Sequence, residues 1–211
     1  SAGTILPDPP LVGCTVNPSV FTPELGAMIM ANCDFVSIPM RWNDMEPSEG
    51  KYAFAKVDKW IEWAVRTAKI PVVAGPVFDL NPRSVPKWLA IWENDYDTLR
   101  DLVIEYLKTI VTRYRRTVTT WTICSGLHAP GGLNLSPEQV MDLTKFAVAV
   151  VKKLQPTAKV NVEISQPFGE YNALPRGNRS IPPAVYGELL NQLSLPVDSI
   201  GVRVQCGHQD P

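Results

Sequence analysis

The chain has 211 residues, of which 45% are hydrophobic and 19% are charged, so it is long enough to bury a substantial core. Its formal net charge of -1 provides no basic surface field, which argues against nucleic acid or an anionic membrane as a partner. No run of about 18 apolar residues occurs, so no transmembrane helix is expected.

Extended apolar runs alternate with amphipathic stretches from one end of the chain to the other. The runs predict six strands, at 11–16, 35–40, 70–74, 118–124, 160–164 and 197–204. Helical spacing of apolar residues predicts helices over 23–32, 57–64, 99–114, 137–154 and from Pro182 onward. Before the fourth of these helices, Ser136 to Gln139 has the pattern of a capping box, with proline in the first turn.

Strict alternation of strand and helix with long connections predicts parallel strands, because parallel neighbours need a crossover. Both a doubly wound sheet and a closed barrel fit this order. No glycine-rich phosphate turn follows an early strand, which favours the barrel. The expected fold is therefore α/β, a (β/α)8 barrel of the TIM type, as one domain over 1–211. Six of its eight units are present, and the others are expected from missing sequence or from another chain.

Four cysteines are spread along the chain without C-x-x-C spacing or a histidine cluster, so no metal site and no cofactor are expected. Cys14, Cys124 and Cys206 fall within or beside strand-like runs. They are expected to act as small buried apolar side chains. The redox compartment of the protein stays open at this point.

Polar and aromatic side chains gather where the predicted strands end, which is where barrel enzymes place their sites. The candidates for substrate binding are Arg41, Trp42, Asp79, Trp88, Gln166, Arg203 and Gln205. Aromatic faces beside hydrogen-bonding groups suit a sugar ring, which has apolar faces and hydroxyl edges. For Trp42 and Trp88 the alternative is that they are packing residues, and for Trp121, inside a strand, packing is the favoured interpretation.

Four segments resemble the family 10 glycoside hydrolases, the xylanase family. The most specific runs from Trp42 through Glu46-Pro47 and Gly50 to Phe54 and Asp58, and the others lie at 86–89, 121–126 and 197–202. The resemblance covers essentially the whole chain and implies the barrel fold. It also implies a carbohydrate as partner, and a location outside the cytoplasm if the protein is directed at polysaccharides.

The chain departs from this family where catalysis would take place. Retaining glycosidases need two carboxyl groups about 5 Å apart, one as nucleophile and one as acid/base. By the resemblance, the acid/base glutamate aligns with Gly126, and the nucleophile belongs to a seventh strand outside this chain. By the same resemblance, the positions after the second strand that bind the sugar in the family are occupied here by Ile38-Pro39 and Arg41.

Two functions follow from these departures. The first is a non-catalytic family 10-like domain with a carbohydrate-binding or structural role. The alternative is an active O-glycoside hydrolase, acting on xylan or a related polysaccharide, with a relocated acid/base. Its weak candidates are Glu163, Glu170 and His128. Glu163 alternates with apolar neighbours and is expected to face the barrel interior, with a structural ion pair to Arg41 or Arg203 as the simpler account.

Overall fold

The computed structural model describes residues 10–124, 133–167 and 199–205, and beyond residue 163 only the backbone is described. Six strands form one parallel sheet in chain order. They are β1 (Gly13–Thr15), β2 (Phe35–Ile38), β3 (Val72–Asp79), β4 (Val118–Cys124), β5 (Lys159–Pro167) and β6 (Ser199–Gln205). The (β/α)-barrel architecture predicted from the sequence is confirmed, with six of its strands in the described part.

Helices connect the strands as the alternation predicted. They are α1 (Pro23–Asn32), α2 (Trp42–Met45), α3 (Ala55–Glu62), α4 (Tyr96–Tyr114) and α5 (Pro137–Leu154). A π-helical segment, Trp63–Ala68, continues α3, and a 3-10 helix, Lys87–Trp92, precedes α4. The helix predicted from Pro182 and the cysteine prediction for Cys206 lie outside the described residues.

The third strand is longer than its sequence indicated. The apolar run predicted a strand over 70–74, yet β3 continues to Asp79. Ala74 pairs with Trp121 and Phe78 with Ile123, so β3 contains two more residues than β4 between the same two rungs. This bulge carries the strand past the proline, which has no N–H for the ladder. It brings Asp79 to the end of the strand.

The core lies between the sheet and the helices. Helix α4 buries the apolar stripe that its spacing predicted, including Leu99, Val103, Leu107 and Ile110. Trp121 is fully buried, which confirms that it is a packing residue. Cys124 is buried as expected, whereas Cys14 is only half-buried.

The predicted capping box at the start of α5 is confirmed. The Ser136 hydroxyl accepts from the Gln139 backbone N–H at 3.2 Å, and the Gln139 side chain accepts from the Ser136 N–H at 3.0 Å. Substituting Ser136 with alanine is expected to lower the free energy of unfolding by about 1 kcal/mol, because one N–H at the helix start loses its partner. Urea denaturation measures this loss. An unchanged midpoint would show that the cap contributes nothing.

Candidate functional site

A polar cavity of 490 Å³ occupies the inner face of the sheet. Strand residues alternate in direction, so residues two apart on β1, β2, β3 and β5 line it, together with Thr122 of β4. Its polar lining consists of Thr15, Ser37, Arg41, Thr122, Asn161 and Glu163. Hydroxyl, amide and charged groups on one concave surface can hydrogen-bond a polyhydroxylated ligand.

Arg41 and Glu163 are the charged residues of this lining. The prediction that Glu163 faces the interior is confirmed, and its Oε2 accepts from the Cys124 thiol at 3.6 Å. The ion pair of Glu163 with Arg41 or Arg203 stays a prediction. The side chain of Arg203, the other expected partner, lies outside the described residues.

A second cavity, of 600 Å³, lies beyond the ends of β1 and β2. Arg41 borders it as well, together with Asp44 and Lys56. The Lys56 ammonium donates to the Ser19 hydroxyl at 3.2 Å, which joins the loop after β1 to α3. Arg41 therefore borders both cavities.

Asp79 is held by its own loop. Backbone pairing sets Asp79 beside Cys124 and Cys124 beside Glu163, so the two carboxyl residues occupy one row of the sheet, about 10 Å apart at their backbones. The Asp79 Oδ1 accepts from the Asn81 N–H at 2.9 Å, and its Oδ2 accepts from the Ser84 hydroxyl at 3.1 Å. The side chain is buried. Its role in this structure is to shape the loop after β3.

Trp42 lies in the core and not on the rim. Its ring is fully buried, stacks on Tyr106 at 5.0 Å between centroids, and donates through Nε1 to the Glu46 Oε1 at 2.8 Å. This arrangement corrects the expectation of a face open to a sugar, since protein atoms cover both sides of the indole. Trp88 packs edge-on against Trp42 and donates to the Glu46 carbonyl at 2.8 Å, yet stays partly exposed.

Tyr106 is a structural residue that the sequence did not reveal. Its hydroxyl shares its one proton between the carbonyls of Met40 and Val77, at 2.7 and 2.8 Å, and so joins the segment after β2 to β3. Complete burial is the main cause that raises the pKa of this phenol well above its ordinary value. In the sequence it looked like one more member of the apolar stripe of α4.

For three of the remaining predicted site residues the structure describes the backbone alone, and the others lie outside the described residues. Gln166 pairs with Val204, Arg203 with Ser165 and Gln205 with Pro167, at the carboxyl ends of β5 and β6. Their substrate contacts stay predictions. Gly126, His128 and Glu170 lie outside the described residues.

None of the helices in the described part of the chain is both long and apolar enough to cross a membrane. Among the same residues, no three side chains of the types His, Cys, Asp or Glu are grouped to hold a metal ion.

Solved structures with a similar fold are xylanases. A family 10 xylanase of Thermobacillus composti is 17% identical with a TM-score of 0.68, and its alignment covers 91% of this chain and 56% of that one. An endo-1,4-beta-xylanase of Caldicellulosiruptor owensensis is 20% identical with a TM-score of 0.67, covering 91% and 59%. Xylanase 10B of Thermotoga petrophila RKU-1, in complex with xylobiose, is 17% identical with a TM-score of 0.66, covering 90% and 58%.

This chain spans less than two thirds of the length of these xylanases. At identities this low the likeness shows the fold alone. The sequence itself carries the stronger evidence, because the model of the family described as glycosyl hydrolase family 10 matches residues 2–210. With a match over nearly its whole length, the chain belongs to glycosyl hydrolase family 10.

Proposed function

We propose that this chain is part of a non-catalytic family 10 protein that binds carbohydrate. One observation carries the proposal: β4 ends at Cys124, and the position two residues further on, which the family resemblance assigns to the acid/base, is Gly126. Glycine has no group that protonates a leaving oxygen or activates water. Without that group, hydrolysis by the family's two-carboxylate route stops at its first step.

The described carboxylates near this position support the same view. Both oxygens of Asp79 accept hydrogen bonds within its own loop, and Glu163 contacts the Cys124 thiol. Asp79 and Glu163 stand on strands separated by β4, with their backbones about 10 Å apart, and the Asp79 carboxylate is already engaged by Asn81 and Ser84.

The polar cavity supports a binding role. Arg41 lines both this cavity and the one beyond the ends of β1 and β2, and their volumes of 490 and 600 Å³ are within the usual range for a ligand site. We propose Arg41, Trp88, Gln166, Arg203 and Gln205 as the carbohydrate contacts. Asp79 and Trp42 support them by holding the loops after β3 and β2.

The experiment is a titration of the full-length protein with xylo-oligosaccharides, combined with an assay for release of reducing sugar. We expect binding by calorimetry without turnover. Replacing Arg41 with alanine should weaken binding roughly tenfold, because a charge-assisted hydrogen bond to the ligand is lost. Arg66 is a matched control, since its guanidinium is exposed, pairs with Glu62 at the end of α3 and borders neither cavity. Arg66→Ala should bind like the parent protein.

An active hydrolase with a relocated acid/base remains the second candidate. The observation in its favour is that Glu163 faces the cavity. Turnover that disappears in Glu163→Gln or Glu170→Gln would establish it and refute the non-catalytic proposal. Absence of both turnover and glycan binding would leave the structural role of the domain as the explanation.

A further inference from the structure

Four cations lie at the edge of the sheet where helices lead back into strands. Among the described connections from a helix to the next strand, 33–34, 69–71, 115–117 and 155–158, Asp34 is the only acidic residue. The same connections contain Lys69, Arg115 and Arg116, and Lys159 is the first residue of β5. All four cations are exposed, and we call them the basic edge. The net charge of -1 did not reveal this edge, because that value averages over the whole chain.

Sheet topology brings the members of the basic edge together. All strands of the described sheet are parallel, so every helix-to-strand connection enters the sheet at its amino end. Val72 pairs with Val118, and Thr120 pairs with Lys159, so the four cations stand at the starts of three neighbouring strands. Adjacent strands lie about 5 Å apart, which distributes the positive charges over roughly 10 Å along this edge.

The described acidic side chains near the basic edge are used elsewhere. Asp58 pairs with Arg113, and Glu62 pairs with Arg66 at 3.2 Å. The Asp34 carboxylate accepts from a backbone N–H just before β1 at 2.9 Å. Within the described part of the chain, none of the ion pairs includes a member of the basic edge. Its positive charge is therefore available to a ligand.

Lys69 has a backbone conformation in which glycine is the more stable residue. It caps the π-helical segment with φ 53° and ψ 43°, in the left-handed region that glycine adopts without steric cost. The helix dipole favours cations at a helix C-terminus, which accounts for part of the charge at Lys69 and Arg115. Arg116 and Lys159 lie beyond the helix ends, where the dipole effect fades. Fold stability thus leaves part of this charge unexplained.

An open groove of 470 Å³ lies beside the basic edge, between the π-helical segment and the end of α4. Its apolar surface comes from Ile61, Val65 and Tyr114, and Val65 is 48% exposed. Thr117, which directly follows Arg116, also lines it, so the groove is continuous with the cations. An apolar strip beside positive charges suits a ligand that has both apolar faces and negative groups.

The aromatic rings on this side of the protein are covered. Tyr114 is buried, and its hydroxyl donates to Asp58 at 2.7 Å. The Arg113 guanidinium lies over the Phe54 ring, 4.0 Å from its centre. Single-stranded nucleic acids bind largely by stacking bases on open aromatic faces, which the described part of the groove does not provide. The groove therefore favours a polyanion without bases.

We propose that the basic edge and its groove bind an acidic polysaccharide that carries carboxylates along its chain. Arginine binds a carboxylate through two parallel hydrogen bonds, and sugar rings have apolar faces that can pack on Ile61 and Val65. The site is at the amino end of the strands, whereas Arg41 and the other proposed contacts for xylo-oligosaccharides follow the carboxyl ends. The two proposals can therefore fail separately.

Calorimetric titration of the full-length protein with oligogalacturonate tests the proposal. We expect binding that weakens several-fold when the ionic strength rises from about 0.01 to 0.15 M, since the Debye length falls from about 30 to 8 Å. The double variant Arg115→Ala/Arg116→Ala should bind roughly fivefold more weakly. Lys69→Gly should bind roughly twofold more weakly but unfold about 2–4 °C higher, because glycine relieves the left-handed backbone.

Lys51→Ala is the matched control, since Lys51 is an exposed lysine in the connection between α2 and α3, away from the basic edge, and it should bind like the parent protein. Equal binding by all variants, or no binding at low salt, would overturn the proposal. So would displacement of oligogalacturonate by uncharged xylo-oligosaccharides, which would place it in the cavities around Arg41. Equally tight binding of a DNA oligonucleotide of the same charge would refute the assignment to a polysaccharide. A Lys69→Gly variant that is less stable and binds normally would show that the lysine serves the fold.

Discussion

Replacing Trp42 with alanine is expected to lower the free energy of unfolding by about 3–5 kcal/mol, as for other buried tryptophans. The indole is fully buried, stacks on Tyr106, and meets Trp88 edge-on at 5.9 Å between ring centroids. Its removal leaves a large cavity and deprives the buried Glu46 carboxylate of the Nε1–H donor at 2.8 Å. Urea denaturation followed by circular dichroism measures the loss.

Two further variants separate the causes of this loss. Trp42→Phe keeps most of the packing but removes the hydrogen bond, so we expect a loss of about 1–2 kcal/mol. Ile91→Ala, at a side chain that is 75% exposed, should change stability by less than about 0.5 kcal/mol. If Trp42→Ala unfolded at the parent midpoint and only weakened glycan binding, Trp42 would be a ligand contact and its burial would have no energetic meaning.

Trp42 also shows where reasoning from the sequence stops. A tryptophan just after a barrel strand is compatible with a sugar platform and with a packing role, because both uses require a large apolar ring. The decision depends on Tyr106, which is 64 positions further along the chain and covers one face of the indole. No local pattern contains that contact, so the sequence alone could not decide between the two roles of Trp42.

The strands were predictable to different extents for a physical reason. β4 has the predicted bounds because its run of β-branched and apolar residues from Val118 to Cys124 contains no glycine or proline. β3 exceeded its prediction because the bulge around Pro76 accommodates a residue that normally ends a ladder. Likewise, alternation along β5 was enough to orient Glu163 toward the interior, but it gave no information on whether Arg41 pairs with it.

The link between β4 and α5 predicts a second large effect. The Gln155 side chain accepts from the Trp121 Nε1–H at 2.8 Å and donates to the Val118 carbonyl at 2.7 Å. All three groups are buried. Gln155→Ala leaves a donor and an acceptor of β4 without partners, and we expect the free energy of unfolding to fall by about 2–4 kcal/mol, since each unsatisfied buried group costs about 1–3 kcal/mol.

A double-mutant cycle assigns this loss to the link itself. Trp121→Phe removes the donor that Gln155 accepts from, so the combined variant should be more stable than the sum of the single losses predicts, by about 1 kcal/mol. Lys145→Ala, on the exposed side of α5, should have little effect. Additive losses in the cycle would mean that the two side chains stabilise the protein separately. A positive coupling would show that Gln155, at the end of α5, holds β4 in place from outside the barrel.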